Sequence, residues 1–308
     1  MPEPGAGEVL VRTIYLSLDP ANRAWMQGAT YTAPVLAGDV MHGFTIGEVV
    51  KSEAEGFEPG DLVEGQSGWQ DYAVHETKAI RKFEKTAALT HHMSVLGITG
   101  LTAYFGLLEV GRPKQGETLV VSAAAGAVGN VVGQIGRIKG CRVVGVAGSD
   151  EKCAWLTDEL GFDAAINYKT GPVYKRLKAA CEGGIDVYFD NTGGDILEAA
   201  LFQMNLHGRI ACCGVVSQYD TATPSPGPRG VPGLLVTKRL RMEGFIVMDY
   251  FAKRAEAARE LTQWIDKGEL KIREDVIDGL ENAPAGLIGL LHGENIGKRM
   301  IRVAPEPA

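Results

Sequence analysis

The chain has 308 residues, a length that suggests about two domains. Hydrophobic residues make up 45% and charged residues 22%, a globular balance that excludes a disordered chain. The net charge of −7 comes without a basic block, so nucleic acid is not an expected partner.

From Gly7 to about Lys82 the pattern is β-rich. Glu8–Leu16 and Gly47–Ser52 are Val/Ile runs, Glu58-Pro-Gly-Asp61 is a turn into Leu62–Glu64, and Trp69–His75 alternates. After Leu89 the texture changes. Ser94–Leu108 carries small residues at helical spacing. Strand Thr118–Ser122 then runs through a glycine turn into helix Ala127–Lys139. Strand Arg142–Ala147, helix Asp150–Leu160, a short strand at Ala165–Tyr168, helix Val173–Cys181, strand Asp186–Asp190, helix Ile196–Met204 and strand Arg209–Gly214 follow. Strands alternating with helices imply βαβ units, a parallel sheet, and ligands at the strand C-terminal ends. The Pro- and Gly-rich stretch Thr221–Gly233 reads as a loop. Strand Leu240–Met248, helix Ala252–Lys267, a short helix over Glu281–His292 and strand Lys298–Val303 complete the chain, the last returning to the first domain.

Two long uncharged runs, Thr86–Leu108 and Thr118–Gly136, are too polar or glycine-rich for spanning helices and are expected to be buried core. The first residues show no basic region followed by an apolar one, so no signal peptide is expected. Five cysteines without Cys-x-x-Cys spacing suggest reduced, cytoplasmic thiols.

The first motif with chemistry is Ala124-x-Gly126-x-x-Gly129, a dinucleotide fingerprint with Ala in the first glycine's place. Gly126 lets backbone approach a pyrophosphate, Gly129 allows close helix–sheet packing, and the helix start offers free N–H groups. The next strand ends in Gly148 and Ser149, with Lys152 one turn on. A small tip, a hydroxyl and a cation suit a 2′-phosphate. Asp150 or Glu151 could instead be the acid that bonds a ribose 2′-hydroxyl, or simply a first-turn helix acid. Local chemistry leans to NADP(H) and leaves NAD open. Tyr174-x-x-x-Lys178 lacks an upstream Ser and reads as chance. Adjacent His91 and His92 diverge, and no Gly-x-Ser-x-Gly elbow exists.

Six segments occurring in order make the pattern specific. They are Gly97-Ile-Thr-Gly-Leu-Thr-Ala-Tyr-Phe-Gly-Leu-Leu108, Ala123-Ala-Ala-Gly-Ala-Val-Gly129, Gly148-Ser-Asp-Glu-Lys152, Asn167-Tyr-Lys-Thr170, Phe189-Asp-Asn-Thr-Gly-Gly194 and Gly293-Glu-Asn-Ile-Gly-Lys298. Together with Ser17-Leu-Asp-Pro20, Arg23 and Gly68-Trp-Gln-Asp-Tyr-Ala-Val74, they resemble the medium-chain dehydrogenase/reductase superfamily over essentially the whole chain. Within it the chain is similar to the zinc-independent prostaglandin reductase (leukotriene B4 12-hydroxydehydrogenase) group, which includes bacterial curcumin reductases. The zinc branch has Gly-His-Glu before its Gly-x-Val-Val strand; here His42, Gly43 and Phe44 fall at those places, so no metal is expected.

The resemblance implies an α/β fold in which a doubly wound Rossmann sheet, 96–270, binds NADP(H). This domain is inserted into a discontinuous, mainly-β GroES-like substrate domain, 1–95 and 271–308, lacking its first strands. Pro2–Leu10 resembles a segment that follows one or two earlier strands in relatives, so the chain is expected to start late. The resemblance also implies NADPH-dependent, metal-free reduction of a carbon–carbon double bond conjugated to a carbonyl. Gly126, Ala127, Val128 and Gly129 would hold the pyrophosphate, and Ser149, Lys152 and Tyr168 the 2′-phosphate end. Asn191 would face the cofactor. Cys213, Gly214, Val215, Ser217 and Tyr219 would pass along the nicotinamide, Phe245, Ile246 and Val247 would contact it by backbone, and Asn295 would reach in from the returning segment.

Tyr219 is the candidate hydrogen-bond donor to the substrate oxygen, with Tyr250 and Tyr72 as alternatives; the cofactor's ribose 2′-hydroxyl could serve instead. Ala21 stands where the family often has Tyr, which should reshape the substrate pocket. The Thr221–Gly233 loop lies where the family's lid would be. A quinone reductase of the same superfamily, or a catalytically silent NADP(H)-binding sensor, are the competing readings. A cytoplasmic homodimer acting on a small molecule, away from membranes, is expected.

Overall fold

The computed structural model describes residues 1–28, 30–221, 223 and 226–307. Its strands are β1 (Glu8–Ser17), β2 (Thr45–Ser52), β3 (Leu62–Gly65), β4 (Tyr72–Glu76), β5 (Ile80–Lys82), β6 (Thr118–Val121), β7 (Arg142–Ala147), β8 (Ala164–Asn167), β9 (Ile185–Asp190), β10 (Met204–Cys212), β11 (Arg241–Gly244), β12 (Glu274–Asp278) and β13 (Lys298–Arg302). The chain divides into two compact units, 1–94 with 274–308, and 95–273.

The first unit is built on a seven-stranded sheet. β1 pairs antiparallel with β2, β4 and β13, and β12 joins β13 in parallel. Val9, Val11, Val49 and Val63 form one buried cluster, and Ile14, Tyr15, Ile46, Leu89, Met93 and Met300 another. β1 serves both because its register shifts between Leu10 and Val11 and again between Thr13 and Tyr15, which re-aims side chains along one strand. Lys298 is buried, and its ammonium donates to Asp19 Oδ1 (2.7 Å), Ser17 Oγ (2.5 Å) and the Leu18 carbonyl (3.0 Å). All three of its protons are used, the condition for burying an amine. This network ties the Ser17-Leu-Asp-Pro20 segment to β13.

The second unit holds six parallel strands in the order β8-β7-β6-β9-β10-β11. Counted along the chain this is 3-2-1-4-5-6, the doubly wound dinucleotide-binding order with its switch point between β6 and β9. Val120, Val121, Val143, Val144, Val187 and Phe189 are fully buried, as expected for strands covered on both faces. Helix Ala127–Ile138 lies close on the sheet because glycines face it. A Cβ at Gly133 would meet Phe162 at 1.9 Å, and one at Gly136 would meet Leu119 at 2.4 Å.

Some elements differ from expectation. The helix expected over Asp150–Leu160 is α-helical only to Ala154 and continues as a π turn to Glu159. β10 begins at Met204 rather than Arg209. The strand expected over Leu240–Met248 stops at Gly244 and gives way to a 3₁₀ helix, Val247–Lys253. The physical reason is Phe245, whose ring turns into the space left by Gly106. The loop expected over Thr221–Gly233 ends early: helix Val231–Lys238 starts there, with Gly230 at φ 70° before it and Pro232 in its first turn. Residues 222, 224 and 225 of that stretch lie outside the described residues.

Candidate nucleotide-binding and catalytic site

Buried Ser122 follows β6, and the chain then turns through Ala123 and Gly126 into helix Ala127–Ile138. The left-handed residue is Ala123, at φ 47°, not the Ala124 that occupies the first fingerprint position. Ala124 is fully buried, and a Cβ on Gly145 would lie 3.1 Å from its methyl. Two features make the turn a cradle. At Gly129 a Cβ would meet the Ala123 carbonyl oxygen at 2.3 Å and Ala124 Cα at 2.8 Å, so the helix can approach the strand end only without one. At Gly126 a Cβ would meet only the Ala123 oxygen, at 3.2 Å; the rest of its surroundings is open. Gly126, Ala127 and Val128 are half-exposed while the strand before them is buried. Their side of the helix start presents first-turn N–H groups to an anion. The turn fits a dinucleotide pyrophosphate.

At the tip of β7, Ser149 caps the next helix: its Oγ accepts the Lys152 N–H at 3.2 Å. Tyr168 follows β8, and its ring edge and hydroxyl come within 3.3 and 3.4 Å of the place a Gly148 Cβ would occupy. Gly148, Ser149, Lys152 and Tyr168 therefore gather at one strand tip. The ambiguous Asp150 accepts a hydrogen bond from Asn167 Nδ2 at 2.9 Å, so one of its oxygens is already committed.

At the end of β9 lies a residue that sequence reasoning missed. Asp190 is buried, and its Oδ1 accepts from the Thr192 and Gly193 N–H groups (3.0 and 2.9 Å), Tyr188 OH (3.0 Å) and Ser122 Oγ (3.2 Å). Burial raises its carboxyl above the usual range, while the backbone and hydroxyl donors pull it back. The same Ser122 accepts the Asn191 N–H at 2.8 Å, and its carbonyl accepts Asn191 Nδ2 at 2.7 Å. Asn191 is thereby locked at the sheet's C-terminal edge. An acid immediately before Asn-Thr-Gly-Gly was the available signal.

The segment after β10 hangs from this edge. Cys213 N and Gly214 N donate to the Asp190 carbonyl, Val216 N to the Asn191 carbonyl, and Ser217 N to the Thr192 carbonyl. The Cys213 thiol is pushed up to about 12 by burial and by the Asp190 charge. Tyr219 folds back over this strap: its hydroxyl accepts the Val215 N–H at 3.4 Å and lies 3.6 Å from where a Gly214 Cβ would be. Burial raises its phenol pKa.

Phe245 packs its ring edge-on to Phe189, with centroids 6.2 Å apart. That anchor fixes the backbone of Phe245, Ile246 and Val247. Tyr250 stacks on Phe105 at 4.9 Å and 13°. The structure thus brings the second unit's nucleotide and nicotinamide candidates to the C-terminal ends of β6, β7, β8, β9, β10 and β11. Tyr72 and Asn295 belong to the first unit. Tyr72 sits on β4 opposite Arg12, and buried Asn295 donates to the Gly297 carbonyl at 2.8 Å.

Among the described residues no group of three or more His, Cys, Asp and Glu could hold a metal, and no helix is long and apolar enough to cross a membrane.

Comparison with known proteins supports the same picture. Residues 1–83 match the N-terminal domain of oxidoreductase, and 127–267 match the family described as zinc-binding dehydrogenase. The chain is 47% identical over 307 residues to NADPH-dependent curcumin reductase of Escherichia coli, covering 98% of this chain and 89% of that protein. It is 43% identical to prostaglandin reductase 1 of Bos taurus, covering 96% and 89%. It is 42% identical to the NADP(+)-dependent 2-alkenal reductase of Nicotiana tabacum, covering 98% and 89%. The crystal structure of CurA from Vibrio vulnificus in complex with NADPH superposes with a TM-score of 0.95 at 42% identity, covering 99% and 93%.

Proposed function

We propose a reaction for a chain that belongs to the zinc-independent medium-chain dehydrogenase/reductase family, in its prostaglandin and curcumin reductase group: NADPH-dependent reduction of the carbon–carbon double bond of α,β-unsaturated ketones and aldehydes. The observation that carries the cofactor is the cradle at Gly126 and Gly129 with Ser149, Lys152 and Tyr168 at the next strand tip. The substrate class is supported by relatives named for reducing curcumin, prostaglandins and 2-alkenals; a 2-alkenal is by definition an α,β-unsaturated aldehyde.

NADPH supplies, when bound, a hydride from nicotinamide C4 to the substrate β-carbon. The protein's part is to align and to stabilise charge. Gly126 lets the backbone come close to the pyrophosphate, Ala127 and Val128 offer it their N–H groups, and Lys152 and Tyr168 serve the 2′-phosphate end. The strap Cys213–Tyr219, suspended from Asp190 and Asn191, and the anchored backbone Phe245–Val247 form the nicotinamide face. Negative charge then develops on the substrate carbonyl oxygen, where a placed donor lowers the barrier, and a proton taken up at the α-carbon from Tyr219 or from solvent completes the saturated product. Tyr219 is that donor: a phenol is already protonated at neutral pH, and burial raises its pKa further.

The test follows NADPH absorbance with a panel of enones, enals and quinones, with NADH as control. Oxidation of NADPH by enones and enals, with the saturated carbonyl as product, is expected. Turnover of quinones alone, or with NADH alone, would refute the reading.

A further inference from the structure

Resting on the NADPH reading above, we propose that Lys169 is a second cation for the cofactor's 2′-phosphate, acting with Lys152 at the tip of β7. Asn167 is buried at the end of β8. Its Oδ1 accepts the Lys169 N–H at 3.0 Å, and its carbonyl accepts the Thr170 N–H and hydroxyl at 3.3 and 3.1 Å. This tight turn brings the chain back over the neighbouring strand. Lys169 Cε consequently lies 3.5 Å from the place a Gly148 Cβ would occupy, beside the Tyr168 hydroxyl at 3.4 Å. Its ammonium is 5.9 Å from the centroid of the Tyr168 ring. The lysine stem and the tyrosine edge both lean on the one residue at the strand tip that has no side chain.

Charge gives the second reason. The helix that starts after Ser149 carries Asp150 and Glu151 in its first turn. Lys152 alone does not balance two carboxylates, still less attract a phosphate beside them. Asn167 Nδ2 occupies Asp150 at 2.9 Å, and its Oδ1 sets the turn that brings Lys169 to the tip. Arg176 is the further cation on this flank, and it donates to Thr170 Oγ1. Among the described residues Lys169 has no carboxylate partner, so its charge is available. A purely surface lysine would be indifferent to the ligand; a phosphate ligand would be felt as a charge-assisted contact.

The test uses the full chain and a probe that needs no turnover. Calorimetric binding of 2′,5′-ADP is compared with that of 5′-AMP, which lacks the 2′-phosphate, for wild type, Lys169→Ala, Lys169→Arg and Lys152→Ala. Lys169→Ala should weaken 2′,5′-ADP about tenfold, on the scale of one charge-assisted contact. The 5′-AMP affinity and the melting temperature should stay unchanged, and Lys169→Arg should recover most of the loss. If Lys169→Ala keeps the wild-type preference within about twofold while Lys152→Ala loses it, Lys169 has no such role and the NADPH reading stands. If wild type binds both probes equally, the NADPH reading and this proposal fall together. If wild type prefers 2′,5′-ADP in a Lys169-dependent way yet reduces no enone, the reaction is wrong and Lys169 stands.

Discussion

Three glycines on one helix separate binding from packing. Gly126→Ala places a methyl where only the Ala123 oxygen is near, at 3.2 Å, and its backbone at φ −81° and ψ 177° suits any residue. The stability cost is therefore that of a poorer N-cap, about 0.5–1 kcal/mol. The methyl occupies the face offered to the pyrophosphate, so the NADPH Kd should rise about tenfold or more, equivalent to about 1.4 kcal/mol. Gly133→Ala has the opposite profile. Its methyl would sit 1.9 Å from the tip of the Phe162 ring, a side chain that can swing at an overpacking cost of about 1–3 kcal/mol. The gain in helix propensity returns up to about 1 kcal/mol. NADPH affinity should change by less than about twofold. Gly129→Ala should do both, because its clash at 2.3 Å is with backbone and must move the helix start itself. Urea unfolding without ligand, and calorimetric titration with NADPH, read the two quantities separately. Wild-type NADPH affinity in Gly126→Ala, or an equal loss in Gly126→Ala and Gly133→Ala, would refute the assignment of this turn.

Two further outcomes are expected. Tyr219→Phe should lower kcat for a weakly activated enone about tenfold to a hundredfold, leaving the NADPH KM nearly unchanged; because burial raises the phenol pKa, kcat in wild type should show no Tyr219-dependent fall up to pH 9, and full turnover by the Phe variant would remove Tyr219 from the reaction. His75 on β4 has its pKa lowered by burial beneath the usual 6.5, with Nε2 2.9 Å from Ser67 Oγ. The unfolded chain then binds the extra proton first, so this contribution to stability is present above about pH 6.5 and is lost as pH falls below it towards His75's own lower value. His75→Gln should flatten that part of the pH–stability curve measured by urea unfolding, and an unchanged curve would show that other groups set it.

Much of the second unit was legible because its code is local. Val/Ile runs of four to six residues, each followed by a helical period, fix a series of βαβ units, and right-handed crossovers leave few orders for them. What the pattern could not carry were features set by contacts far apart in sequence. Phe245 continues a strand-like run by composition, yet its ring is drawn into the gap at Gly106, more than a hundred residues earlier, and the strand ends before it. The fingerprint's missing glycine points to Ala124, whereas the turn spends its one left-handed residue at Ala123 and keeps Ala124 as a fully buried wall against Gly145. A non-glycine residue there costs about 1–2 kcal/mol, and the surrounding contacts hold it: Ala124 N donates to the Val146 carbonyl and Gly126 N to that of Ala123, both at 2.9 Å.

Asp190 likewise owes its role to contacts far apart in sequence. A charged residue closing a buried strand usually signals a ligand or a catalyst. Here its Oδ1 is taken by donors from four residues of its own chain, among them the N–H groups of Thr192 and Gly193 that lead into the next helix. Its backbone carbonyl carries Cys213 and Gly214 at 2.8 and 3.1 Å. The strap that presents Tyr219 is thus hung from the residue whose side chain pins the end of β9. Ser122, just after β6, joins the two strands on either side of the switch point through Asp190 and Asn191. A sheet opens a crevice where its chain order reverses, and at that place the neighbouring strand ends lose the crossover that would otherwise cover them. Cross-linking those ends with buried, hydrogen-bonded polar groups keeps the crevice rigid without filling it, and rigidity there is what a hydride donor and a carbon acceptor need to be held at reacting distance.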